Sequence, residues 1–105
     1  MEMKIPKTIM IGGIRWSVVL DKTITGGQFW WKDHTVKIGK NQSKERIINC
    51  LLHEIAEVIL VNNNNRFMKC ITDESGNGDY LFCFNHDQFE VFMAELTGII
   101  KQLKQ

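Results

Sequence analysis

Hydrophobic positions change their period once along this chain, close to residue 43. Before that point they alternate. In Ile14–Leu20 the side chains of Ile14, Trp16, Val18 and Leu20 fall on every second residue, the repeat of a half-buried strand. Thr8–Ile11 lies before it across Gly12-Gly13, a pair suited to a tight turn, so the two segments predict a hairpin. Gln28–Lys32 and Thr35–Ile38, divided by Asp33-His34, predict a second hairpin that carries Trp30, Trp31 and Val36. The first forty residues therefore predict a small antiparallel sheet, a β meander.

After Ser43 the repeat becomes helical: Ile47, Ile48, Leu51, Ile55, Val58 and Ile59 recur at 3.6-residue spacing. Ser43 suits an N-cap, Glu45 the positive helix end, and the Asn62–Asn65 run ends the helix at about Val61. Segments 67–72 and 80–84 flank the turn-forming stretch Glu74–Asp79 and predict a short β hairpin, with Cys70 and Cys83 facing each other across it and Phe82 and Phe84 on one face. The stripe Phe89, Phe92, Met93, Leu96, Ile99, Ile100 and Leu103 predicts a final helix from about residue 86. The expected fold class is α+β: an N-terminal antiparallel β meander, a central buried motif helix, a short β hairpin and a C-terminal helix packed on the motif helix. With no repeat or linker, residues 1–105 are expected to form one domain.

Composition narrows the function classes. Hydrophobic residues make up 44% and charged residues 24%, which suits a folded chain and not a disordered one. Thirteen Lys and Arg against twelve Asp and Glu leave a net +1, so no basic field points to nucleic acid. The halves differ, since residues 1–52 carry nine basic and four acidic side chains and residues 53–105 carry four and eight. A basic sheet face is a solvated surface or a docking surface for an acidic ligand. Cys50, Cys70 and Cys83 are an odd set without C-x-x-C spacing, which argues against a disulfide framework and for a reducing, cytoplasmic setting. No apolar run is long enough for a membrane span, and no membrane partner is expected. Nothing resembles a glycine-rich phosphate loop or a Ser/His/Asp triad.

The most informative string is Leu51-Leu52-His53-Glu54-Ile55-Ala56-Glu57-Val58-Ile59-Leu60, which sets three ionisable groups into an otherwise apolar helix. Burying such groups is costly unless something uses them. His53 and Glu57, four residues apart, lie about 40° apart around the axis and can meet at one point, as metal ligands at i and i+4 must. Glu54 stands beside them. This is the geometry of the His-Glu-x-x-His helix of zinc peptidases, where the Glu is general base for a metal-bound water, except that Glu57 takes the place of the second histidine. A carboxylate also ligates zinc, while adding negative charge that weakens the metal as a Lewis acid. The final helix repeats the spacing in His86 and Glu90, with Asp87 nearby. Two helices are thus expected to bring His53, Glu57, His86 and Glu90 to one pocket. Three ligands and a water would make a catalytic zinc site, and four would make a structural one.

On these residues the chain resembles the short, often phage- or prophage-encoded metallopeptidase-like domains related to the SprT-like and minimal gluzincin proteins. The resemblance spans most of the chain. It rests on the N-terminal strands with their Gly-Gly turn, on "KERIINCLLHEIAEVIL" as the motif helix, and on "FEVFMAELTGIIKQL" as a final helix containing a Glu. It implies that His53 is the first zinc ligand, Glu54 the general base, Glu57 the second-ligand position, and Glu90 or His86 the third. It also implies a zinc-dependent hydrolase acting on a peptide or protein, which could lie along the edge of the N-terminal sheet.

Two other readings compete. One is a catalytically degenerate form of the same fold, serving as a phage-related protein-interaction module, motivated by Glu57. The other, a magnesium site built from Glu54, Glu57, Glu90 and Glu95 in an all-helical pyrophosphatase, conflicts with the strands of the first forty residues. His34 reads as a turn residue and Cys50 as a small buried hydrophobe. Adjacent Trp30 and Trp31 are expected on opposite faces, one of them available for a partner.

Overall fold

The computed structural model describes residues 4–71 and 78–103. The elements in chain order are β1 (Thr8–Ile11), β2 (Ile14–Asp21), β3 (Gly27–Trp30), β4 (Thr35–Gly39), α1 (Lys44–Asn62), β5 (Arg66–Ile71), β6 (Gly78–Phe82) and α2 (His86–Leu103). This is the expected α+β class: a four-stranded sheet, a central helix, a two-stranded hairpin and a C-terminal helix. Of the turn expected over Glu74–Asp79, residues 74–77 lie outside the described residues, and Gly78 and Asp79 belong to β6.

β1 and β2 form the anticipated hairpin through Gly12 and Gly13, whose φ angles of 60° and 81° suit the mirror-image turn that matches strand twist. β3 and β4 form the second, with His34 at φ 48° accepting the left-handed turn position. The two hairpins do not join as a simple meander. The sheet order is β1-β2-β4-β3, and β2 pairs with β4 in parallel, from Ser17 opposite Thr35 to Asp21 opposite Gly39. Burial accounts for this order. β4 turns Val36, Ile38 and Gly39 fully inward and takes the interior place, whereas β3 exposes Gln28 and Trp30 and takes the edge.

The core is one layer deep between sheet and helices. Ile9, Ile11, Trp16, Val18, Val36 and Ile38 from the sheet meet Ile47, Cys50, Leu51, Ile55, Val58 and Ile59 of α1. Cys50 is thus the buried hydrophobe expected. Ser43 caps α1 by accepting a hydrogen bond from the Arg46 N–H at 3.2 Å.

α2 packs unevenly. Only Ile99 and Leu103 of its stripe are buried, whereas Phe89 and Met93 remain exposed. Its C-terminal end is tied to the first strand, because Gln102 both accepts from the Met10 N–H and donates to the Met10 carbonyl. The first turn of the helix therefore stands off the core, against which Phe92 and Leu96 pack further along. Phe82 and Phe84 are exposed as well. Cys70 lies opposite Asp79 and not Cys83, whose N–H donates to the Asn65 carbonyl, so the expected cysteine pairing across the hairpin does not form. Trp30 and Trp31 are both exposed, because Trp31 falls in the turn after β3 where strand alternation has ended. Among the described residues no helix is long and apolar enough to cross a membrane.

Candidate metal centre

The site begins with a glycine. Gly27 opens edge strand β3 where α1 passes beneath it, and a Cβ there would lie 3.1 Å from Glu54 Cγ and 3.1 Å from Ile38 Cδ1. Its missing side chain leaves room for a carboxylate between helix and sheet. Glu54 takes that room and, among the described residues, is one of two polar residues in the buried set, the other being Asn65. Burial raises its pKa above the ordinary carboxylate value, and the neighbouring charge of Glu57 raises it further, while His53 and Arg66 pull it back. A group of this kind can exchange a proton with a reacting species.

His53 and Glu57 complete the cluster one turn apart. His53 Nε2 is 2.9 Å from Glu57 Oε2 and 3.9 Å from Glu54 Oε2. The side chains of Glu54 and Glu57 are 8% and 19% exposed and that of His53 is 65% exposed, so two guarded carboxylates sit behind an accessible imidazole. An open-mouthed cavity of about 220 Å³ lies before them, walled by Gly26, Gly27, Arg46, Asn49, His53 and Glu54. The donor atoms of His53, Glu54 and Glu57 all lie within 4.8 Å of one another and could hold a metal ion. The set fits a divalent cation: two ligand atoms about 2.0–2.2 Å from a tetrahedral zinc sit roughly 3.3–3.5 Å apart, a small adjustment from the His53–Glu57 distance.

A fourth residue belongs here that the sequence did not reveal. Arg66 opens β5, nine positions beyond Glu57, and its Nε is 3.5 Å from Glu57 Oε1. The asparagine run delivers it. Asn63 caps α1, Asn64 makes the left-handed step at φ 58°, and the Asn65 N–H donates to the Leu60 carbonyl at 2.7 Å. The Asn65 side chain, fully buried, donates to the Cys83 carbonyl at 3.1 Å and pins the hairpin to the helix end. What reads in sequence as a helix stop is also the hinge that returns a guanidinium to the motif.

His86 and Glu90 are placed elsewhere. With Asp87 they form a second group that could hold a metal ion, distinct from the first and fully on the surface. His86 Nε2 is 3.7 Å from Glu90 Oε1, and the two side chains are 79% and 67% exposed. Asn85 and Gln88 cap this end reciprocally, each side-chain oxygen accepting from the other's N–H at 2.9 Å. The expected single pocket drawing on both helices does not form: the two groups are separate, and α2 meets the core from Phe92 onward, beyond His86 and Glu90. His34 is a turn residue whose ring lies 5.2 Å from that of Trp16.

Compared with known proteins, the chain matches no family model, no curated protein and no solved structure.

Proposed function

We propose that this domain is a zinc-dependent hydrolase of peptides, with His53 and Glu57 as the metal-holding side chains and Glu54 as the general base. The observation that carries this reading is the buried Glu54 beside the His53–Glu57 pair, opening onto a cavity at a sheet edge. Zinc, when bound, supplies Lewis acidity that polarises a carbonyl and makes water a stronger acid. Glu54 accepts a proton from the water that attacks the carbonyl carbon. It returns that proton to the amine nitrogen as the C–N bond breaks, leaving a carboxylate and an amine. The raised pKa of Glu54 suits both halves of that exchange. Edge strand β3 has one side unpaired, and a peptide extended along it would run past Gly27 and the cavity mouth.

A catalytic zinc usually has three protein ligands. His53 and Glu57 supply two, and the groups expected as the third stand in the separate α2 cluster. The ion is therefore held loosely, and activity depends on free zinc. Replacing Glu54 by Gln keeps the shape and removes the base. Hydrolysis of an unstructured peptide library at saturating zinc is expected to fall by about 10²–10⁴-fold in Glu54→Gln. An unchanged rate refutes the mechanism.

A second reading, the interaction module, is favoured by one observation. Phe67, Leu81, Phe82, Phe84 and Phe89 are exposed on the hairpin and the start of α2, an unusual load of aromatic surface for a small domain. Full retention of function by Glu54→Gln in its native setting would select that reading.

A further inference from the structure

The two oxygens of Glu57 face different partners. Oε2 is 2.9 Å from His53 Nε2 of the same helix, and Oε1 is 3.5 Å from Arg66 Nε of the hairpin. Arg66 is only 14% exposed, and its Nε is buried without a hydrogen-bond partner. The guanidinium is held by rings instead: its carbon lies 3.7 Å from the centroid of Tyr80 and 5.4 Å from that of Phe29. A cation fixed by aromatic faces from β3 and β6, with an unused donor beside one carboxylate oxygen, is an expensive arrangement for a loop-proximal arginine.

We infer that Arg66 is a positioning residue for Glu57, and that it compensates the charge this carboxylate brings to the motif. The inference rests on the metal reading proposed above. In a His-Glu-x-x-His helix the position of Glu57 is held by a neutral imidazole, so the carboxylate leaves the site one negative charge richer. A guanidinium, charged at every accessible pH, returns the local sum to that of the histidine motif. By engaging Oε1 it also leaves Oε2 as the oxygen presented toward His53, which favours ligation through a single atom. The carboxylate at position 57 and the arginine at position 66 are in this account one substitution in two parts. The hairpin acquires a purpose too, since Tyr80 on β6 braces the arginine from β5.

A double-mutant cycle tests this, read as zinc affinity by competition with a chromogenic chelator and as the cobalt(II) absorption spectrum of the same proteins. Alone, Arg66→Ala is expected to weaken zinc binding by about 10–100-fold, the usual cost of losing an outer partner of a ligand. Arg66→Lys, keeping the charge without the planar stack, restores part of that loss. In the Glu57→His background the same Arg66→Ala change leaves affinity unchanged or raises it, because no carboxylate remains to be positioned or balanced. An equal loss in both backgrounds, or no loss in either, overturns the inference while the metal reading stands. If neither the unmodified chain nor Glu57→His takes up zinc or cobalt, the metal reading fails and the inference fails with it.

Discussion

The two helices carry the same chemical phrase, and only one of them buries part of it. Each sets a histidine four residues before a glutamate with a further acid between them: His53, Glu54 and Glu57 on α1, His86, Asp87 and Glu90 on α2. Spacing brings each pair together. What separates them is what lies behind. The α1 group is backed by Gly27 of the sheet on one side and Arg66 of the hairpin on the other, so its carboxylates are shielded and one is pushed toward neutrality. The α2 group is exposed, where ion pairs contribute little. Helical spacing creates a pair, and tertiary packing decides whether the pair becomes a centre.

That contrast can be broken most severely through the packing. Leu51→Ala, two residues before His53 and fully buried, is expected to cost about 3 kcal/mol in chemical denaturation, within the usual range for such cavities. Phe89→Ala, the corresponding large side chain on the exposed turn of α2, should cost less than about 0.5 kcal/mol. Equal losses would mean that the first turn of α2 is packed after all.

A smaller effect is expected at Glu54. Because the folded-state pKa of Glu54 is raised, the folded chain holds its proton to higher pH than the unfolded chain does. Stability from this group is therefore present at low pH and is lost as pH rises from the ordinary value of 4.5 through the folded pKa. Glu54→Gln removes that penalty, so the variant should be more stable than the parent at neutral pH, with the difference closing at pH 4 in urea midpoints.

Smaller again is Gly27→Ala. The added methyl meets Glu54 and Ile38 at distances tight enough to require movement but not collapse, so a loss of about 1 kcal/mol is expected. Its sharper signature is a weakened zinc affinity from a displaced Glu54, which Gly98→Ala, on α2 with open space around its Cβ, would not share.

Much of this was legible along the chain. The helix predicted from Ser43 to about Val61 is α1 to within a residue, and His53, Glu54 and Glu57 meet as their spacing requires. Local periodicity was enough because those contacts are local. The parallel pairing of β2 with β4 was not legible, since alternation marks a strand without naming its neighbour. Nor was the exposure of the start of α2: the stripe from Phe89 to Leu103 is continuous in sequence, and nothing local says that it engages the core only from Phe92 onward, with its end tied through Gln102. Arg66 was invisible for a related reason. It lies outside the helix, and it reaches Glu57 only because four consecutive asparagines end α1, turn the chain and pin the next strand.

The central claim is that the α1 cluster, and not its α2 counterpart, holds a metal ion. Zinc titration of the tag-free chain by calorimetry, beside His53→Ala and His86→Ala, tests it most directly. The account predicts one zinc per chain, abolished by His53→Ala and unaltered by His86→Ala. No uptake by the folded parent, or uptake that disappears with His86 and survives without His53, would contradict it.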